Sequence, residues 1–399
     1  MINNQIKEFP NKNCPVCGSK QLKIFFEMMN FPAFCHILWQ SQDAARNCPK
    51  GNIQLAFCPI CSFITNLAFE PALLNYSQSY DTSLHYSPFF KEYAHSLATR
   101  LIKRHNLYNK DIIEIGCGRG YFLLLLCKLG NNRGVGFDPS CTIQKNIDSQ
   151  NQVKFIQDYY SEKYRNYKCD FIVCRHVLEH IPNPKEFLKT IRDVISNRIN
   201  THVFFEMPNA LQTFRRLFVW DIIYDHCSYF TPVTSSLIFS LSGFNVCELT
   251  EDYEGQFLCI DASPDSQGTL NSINNQNEEV KQISFDIESF IKKYRIKVEK
   301  FRRKLNQLKD QGKRVVLWGA GSKGVTFLNT FKNSNIEYAV DINPNKQGMY
   351  IPGTGQEIVP SDFLKEYKPD VIIIMNPIYK NEIQELVNKL GLTAKFIYV

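Results

Sequence analysis

Three groups of residues carry spacings that chemistry uses. Cys14-Pro-Val-Cys17 is answered by Cys58-Pro-Ile-Cys61. Two Cys-x-x-Cys turns can place four thiolates around zinc, with Cys14, Cys17, Cys58 and Cys61 as ligands and no position left for water, so the site would be structural. Redox or merely buried cysteines are the alternative, and Cys35, His36 and Cys48 in the intervening segment could compete as ligands. His176 and His180 are four apart and share a face if that turn is helical. Two such histidines could hold a metal, but no third ligand is evident, which favours acid/base or contact roles. The third group is Asp225-His226, inside the aromatic stretch Trp220 to Phe230. A carboxylate beside an imidazole can hold the ring and raise its basicity; a satisfied interfacial histidine is the plainer alternative.

Two strand–glycine–helix devices must position these groups. The first is Ile112-Ile-Glu114-Ile115, then Gly116-x-Gly118-x-Gly120, then an apolar helix from Tyr121 to Leu129. Such a turn lets a nucleotide-like ligand approach bare backbone. Glu114 is a carboxylate in an otherwise apolar strand, costly without a partner. Gly134-Val-Gly-Phe-Asp138 follows, ending in an acid where a ribose diol is usually held. This combination resembles the first two motifs of class I S-adenosylmethionine methyltransferases. The second device is Arg314 to Trp318, Gly319-Ala-Gly321-Ser-Lys323-Gly324, and the strand ending at Asp341. Alone it is a dinucleotide fingerprint, for NAD or for another diphosphate cradled by the same backbone donors.

The remaining elements follow the order of an α/β sheet. A helix is expected over Pro88 to His105, with further strands at Val153 to Ile156, Asp170 to Cys174 and Val203 to Glu206, and a closing pair starting at Phe244 and Gly255. Asp158, after the third strand, is placed to accept from an adenine amino group. Tyr76 and Tyr80 precede the first helix, where a lid over the cofactor often lies. Ser263 to Asn277 has the composition of a linker, and Glu278 to Asp310 carries one apolar stripe from Val280 to Leu308. Its basic face is expected to be solvated. A net charge of +7 over 399 residues shows no concentrated basic stripe for nucleic acid. No apolar run is long enough to span a membrane, the first residues lack a signal-peptide core, and fourteen cysteines without an export signal suit a reducing cytoplasm.

Taken together, the chain resembles the three-domain sugar C-methyltransferases that act on nucleotide-linked 4-keto-deoxyhexoses. The C-terminal run carries this most specifically: Gly319 to Gly324, Asp341-Ile-Asn-Pro-Asn-Lys346-Gln-Gly348, and Ile351-Pro-Gly-Thr354. The resemblance implies an α/β protein with a zinc-binding domain over 1–70, a class I doubly wound sheet over 71–264, and a linker, long helix and Rossmann-like nucleotide-sugar domain over 265–399. It implies S-adenosylmethionine at Glu114, Gly116, Gly118, Gly120, Asp138, Asp158, Tyr76 and Tyr80. It further implies His226 as base, Asp225 as its orienter, and His180 with Tyr224 at the enolate or sugar. His176, Asn209, Tyr229, Gly319, Gly321, Lys323 and Asp341 fall to the substrate. The family's acidic-His-x-x-Tyr-Phe motif falls on Asp225, His226, Tyr229 and Phe230. The chain departs from the family at Asp225, usually Glu, at Ile223-Tyr224, usually Tyr-His, and at His176, usually Asn. Methylation of a sugar oxygen or nitrogen, or a zinc-containing RNA methyltransferase, are the rival readings. Against the RNA enzyme, the fourth strand ends in Cys174-Arg-His and a third domain would be idle.

Overall fold

The computed structural model describes residues 12–37, 39–74, 84–141, 152–265 and 277–399. Among these the strands form three sheets. The central one is built from β4 (Asp111–Ile115), β5 (Arg133–Phe137), β6 (Val153–Ile156), β7 (Phe171–Arg175), β8 (His202–Pro208), β10 (Phe244–Asp252) and β11 (Phe257–Pro264). Its order is β10-β11-β8-β7-β4-β5-β6, with β4 to β8 mutually parallel and β11 antiparallel to both its neighbours. This is a doubly wound sheet of the kind that the resemblance to class I methyltransferases implies, with the glycine turn after the strand from which the order runs both ways.

The near-continuous β-branched runs follow from burial on both faces. Ile112 and Phe171 face the helix Pro88–His105 and its neighbours, while Ile113, Ile115 and Ile172 face the opposite core. Ser87 caps the Pro88–His105 helix by accepting from the Phe90 amide, and Asn106 ends it in the left-handed conformation.

The third sheet, β14-β13-β12-β15-β16, is wholly parallel. Its strands are β12 (Val315–Trp318), β13 (Ile336–Val340), β14 (Glu357–Val359), β15 (Val371–Ile374) and β16 (Lys395–Tyr398). The long helix, Asn277–Asp310, does more than connect. Its stripe is buried at Ile283, Ile287, Phe290, Tyr294, Leu305 and Leu308. Phe26 packs on Phe290 and Tyr294, and Trp220 on Phe301, so the helix packs against both the N-terminal sheet and the Trp220 segment.

The N-terminal sheet contains β1 (Lys23–Pro32), β2 (Lys50–Phe57), β3 (Ile64–Asn66) and a short strand from far along the chain, β9 (Ser228–Tyr229). Ile64 pairs with Tyr229 and Thr65 with Ser228. The Thr65 hydroxyl and the Asn66 amide both donate to the Cys227 carbonyl, at 3.0 and 2.9 Å. The segment carrying Asp225 and His226 is therefore fastened to the sheet that follows the cysteine turns. No helix among the described residues is long and apolar enough to cross a membrane.

Candidate active site

Both glycine turns open on one cavity of about 840 Å³. In the first turn, Gly116, Gly118 and Gly120 all have positive φ. A Cβ at Gly116 would strike Val177 at 2.1 Å and one at Gly120 would strike Phe155 at 2.3 Å, whereas one at Gly118 would meet nothing within 4 Å. Gly116 and Gly120 thus serve packing, and Gly118 presents bare backbone to open space. Gly120 does not line the cavity; it precedes the helix Tyr121–Gly130 as its N-cap.

Glu114 is 3% exposed, lines the cavity and accepts from the Leu123 amide at 3.0 Å. Burial pushes its pKa up to about 8 despite the pull of Arg175. Asp138 braces the turn: its carboxylate accepts from the Gly118 amide at 2.8 Å and from the Ser140 amide and hydroxyl at 2.7 and 2.6 Å. Asp158 also lines the cavity, with its carboxylate engaged by Lys163, Tyr164 and the Tyr159 amide. Tyr76 and Tyr80 lie outside the described residues.

Behind this end sits a charged cluster that the motifs did not reveal. Glu206, toward the end of β8 and 1% exposed, accepts from the Arg175 guanidinium at 3.0 and 2.8 Å and from the Tyr93 hydroxyl. His176 Nε2 approaches Glu206 at 2.8 Å, off the axis of a straight hydrogen bond, and Nδ1 is 3.6 Å from Glu179. Burial alone would raise the Glu206 pKa, but Arg175, His176 and Tyr93 outweigh it and bring it to about 2. Burial likewise acts against the His176 cation, and the two carboxylates overcome it, raising its pKa to about 9. With both nitrogens facing carboxylates, His176 lines the cavity with its ring clamped between Glu179 and Glu206. It sits at φ 54°. Asn and His are among the few residues that tolerate this left-handed region, which accounts for a position where the resembled family has Asn.

The Asp225–His226 expectation needs correcting. Asp225 is fully buried, does not line the cavity, and neither carboxylate oxygen finds a hydrogen-bond partner among the described residues. Its neighbour is His180: the Nδ1 of that ring donates to the Asp225 carbonyl at 2.8 Å and lies 3.9 Å from the carboxylate. Burial lifts the Asp225 pKa to about 6, against the pull of His180. His226 lines the cavity with its ring 5.0 Å from that of His180. Its pKa falls well below the usual value, first through burial and then through His180, His36, His176 and Lys323. Adjacency in sequence did not make an Asp–His226 pair: the chain bends at Tyr224 and Asp225, and the Asp225 carboxylate lies beside His180 while His226 lines the cavity.

Tyr224 and Tyr229 are also misplaced by sequence. Tyr224 packs its ring on Gly51, where a Cβ would come within 2.2 Å, and its hydroxyl accepts from the Glu70 amide at 2.9 Å. Tyr229 packs against Phe214, with its hydroxyl near the Ile223 carbonyl. Neither lines the cavity. Asn209 does, but its side chain is spent on the Leu211 amide and the Gly255 carbonyl.

At the second turn, Gly319, Gly321, Lys323 and Asp341 all line the cavity. Gly319 needs its φ of 110°, and a Cβ at Gly324 would strike the Gly319 carbonyl at 2.1 Å. Asp341 holds the turn by accepting from the Ala320 amide at 3.0 Å and lies 3.4 Å from buried Lys346. Gly321 caps the helix Ser322–Thr330 without a side-chain bond, and the Lys323 ammonium pairs with Asp221. His36 does not join the cysteines; it reaches this cavity from the N-terminal part, its Cε1 4.0 Å from a Cβ built on Gly321. Nothing in its local sequence distinguishes it from a metal ligand.

Cys14, Cys17, Cys58 and Cys61 converge elsewhere, with all four sulfurs within 4.8 Å. The Cys14–Cys61 and Cys17–Cys58 Sγ separations are 3.5 Å. A tetrahedron with Zn–S bonds of about 2.3 Å has edges of about 3.8 Å, so the donor set fits a closed zinc site. Cys35 and Cys48 are buried outside this group.

Residues 88–249 match the family described as a methyltransferase domain, and residues 258–399 match the C-methyltransferase C-terminal domain. Residues 88–249 thus carry a methyltransferase domain of the class I fold, and residues 258–399 a C-methyltransferase C-terminal domain. It is 32% identical over 101 residues to a tRNA U34 carboxymethyltransferase of Nautilia profundicola, covering 23% of this chain and 33% of that protein. Against the tRNA U34 carboxymethyltransferase of Helicobacter pylori the identity is 29% over 119 residues, 27% of this chain and 45% of the other. The chain thus spans less than half the length of these curated relatives. Magnesium protoporphyrin IX methyltransferase of Synechocystis, solved with bound SAH, overlaps 44% of this chain and 83% of its own, at 14% identity and a TM-score of 0.34.

Proposed function

We propose that the chain methylates a carbon of a nucleotide-linked 4-keto-deoxy sugar, with a structural zinc at Cys14, Cys17, Cys58 and Cys61. The observation that carries this is the shared cavity: the donor turn, the His180–His226 pair and the second glycine turn all open on it. A C-methyltransferase C-terminal domain supports the same reading.

S-adenosylmethionine bound at the first turn supplies an electrophilic methyl group. Gly118 offers its backbone there, with Glu114, Asp138 and Asp158 around it. At the other end, the uncapped amides at the start of helix Ser322–Thr330 and the Lys323 ammonium receive the diphosphate. A ketone acidifies the neighbouring C3 hydrogen, and His226 takes that proton. Its depressed pKa keeps the ring neutral, so a lone pair is present at working pH. His180, when protonated, donates Nε2–H to the enolate oxygen while Nδ1 stays on the Asp225 carbonyl and the Asp225 carboxylate balances the charge. The nucleophilic carbon is then aligned with the methyl group by the two turns.

A second assignment, with His180 as base, is favoured by the Asp225 carboxylate lying beside His180 instead of His226. Exchange of C3 hydrogen for solvent deuterium, without methyl transfer, separates the two. His226→Ala should abolish exchange and turnover while S-adenosylmethionine still binds, and His180→Gln should leave slow exchange; the reverse pattern moves the base to His180. The overall function is tested by mass spectrometry of a panel of nucleotide 4-keto sugars. The expected product gains one methylene mass and loses the C3 proton signal. A methylated product that retains C3–H would mean transfer to oxygen or nitrogen. No sugar product, with salt-dependent binding of tRNA, would replace the reading with the RNA acceptor that the curated relatives' names suggest.

A further inference from the structure

The proposed proton-transfer site has a second property that sequence spacing concealed. One carboxylate oxygen of Glu179 and one ring nitrogen each of His180 and His226 lie within 4.8 Å of one another, and all three residues line the cavity. Glu179 is 2% exposed, and its Oε2 is buried without a hydrogen-bond partner among the described residues. A buried carboxylate oxygen left without a partner is uncommon and calls for a ligand. His180 is held as metal-binding imidazoles are: Nδ1 donates to a carbonyl oxygen, which fixes the tautomer whose Nε2 carries the lone pair. Two imidazoles and a carboxylate that line the cavity with their donor atoms close together are a donor set for a divalent transition-metal ion.

We propose that Glu179, His180 and His226 form an inhibitory metal site that takes a divalent transition-metal ion and, while occupied, excludes the sugar and blocks turnover. The inhibition rests on the function proposed above, because the lone pair that would ligate the ion at His226 is the one that would take the C3 proton. The binding does not rest on it. The Cys14–Cys61 group, all sulfur, is chemically distinct. A further His/Asp group, His105, His202 and Asp261, does not line the cavity, and Asp261 is already bonded by His105 at 2.5 Å and contacted by Arg104 at 3.1 Å. It serves as the control.

The test is a Co²⁺ titration of the full chain with zinc retained at the cysteines, followed by visible absorption. One further ion should bind, with a nitrogen–oxygen spectrum lacking sulfur charge-transfer bands. It should be lost in Glu179→Gln and His226→Gln and kept in His202→Gln. Unchanged thermal unfolding of Glu179→Gln guards against a folding defect. At saturating Co²⁺, turnover should be lost and recovered by raising the nucleotide sugar, with S-adenosylmethionine affinity unaltered. Absence of a further ion, or one that survives both Glu179→Gln and His226→Gln, overturns the site. A bound ion that leaves turnover intact upholds the metal site, overturns the inhibition, and removes His226 as the base.

Discussion

The second glycine turn separates two substitutions that look equivalent in sequence. At Gly321, φ is −91°, which any residue adopts, and the nearest atom to an added methyl group would be His36 Cε1 at 4.0 Å. Gly321→Ala should therefore fold normally and bind S-adenosylmethionine as before. Its methyl group instead projects into the space where a diphosphate would meet the helix amides. Losing one charge-assisted hydrogen bond costs about 1.5–3 kcal/mol, or roughly 10- to 150-fold in affinity. Gly324→Ala, three residues on, places its methyl 2.1 Å from the Gly319 carbonyl and must disturb the turn itself. Calorimetric titration with a nucleoside diphosphate, alongside S-adenosylmethionine, reads both consequences. Gly321→Ala should weaken only the diphosphate, while Gly324→Ala should also lower the unfolding midpoint. Unchanged diphosphate affinity in Gly321→Ala, together with unchanged affinity in Lys323→Ala, would refute the assignment of this turn to the diphosphate.

Four further outcomes are expected. Glu206→Gln leaves the buried Arg175 uncompensated and should cost about 3–5 kcal/mol in chemical denaturation; a loss below about 1 kcal/mol would mean the cluster is not a coupled unit. The pH dependence has two edges. The His176 pKa is raised to about 9, so its stabilisation is full below 6.5 and lost as pH rises through 9. The Glu206 pKa is lowered to about 2, so its contribution is present above 4.5 and lost as pH falls through 2; both edges should flatten in Glu206→Gln. Glu114, with a pKa near 8, is mostly protonated at neutral pH, and a cationic ligand beside it should release protons. The binding enthalpy of S-adenosylmethionine should then vary with the ionisation heat of the buffer, and this variation should vanish in Glu114→Gln. If the proposed zinc is bound, removing it from the cysteines with a chelator, or Cys58→Ser, should loosen β3 and with it β9 and His226; turnover should fall further than S-adenosylmethionine affinity, and equal losses would show that the effect is general unfolding.

Much of the scaffold was legible because it depends on local pattern. The helix Pro88–His105 starts at a capping serine and a first-turn proline, and the strand runs of the central sheet are apolar enough to be buried on both faces. The glycine turns declared themselves through positions where only a missing Cβ fits, against Val177, Phe155 and the Gly319 carbonyl. The cysteine set was legible because two short turns fix the spacing of four like ligands. Less legible was the partner of each polar side chain. Glu206 sits near the end of β8 like many strand residues, and nothing local says that Arg175, Tyr93 and His176 meet on it. His36 looked like a possible zinc ligand and faces the cavity instead.

The sequence alone determined the strand segments, the two backbone cradles and the two cysteine turns, since each is encoded within a few consecutive residues by burial, glycine geometry or ligand spacing. Tertiary structure decided which ends face one another. It folded both cradles onto one cavity, moved Asp225 from His226 to His180, withdrew Tyr224 and Tyr229 into packing, and tied β9 to the sheet beside the cysteines. Those outcomes turn on contacts between residues tens to hundreds of positions apart, where side-chain direction and burial, not adjacency, choose the partner.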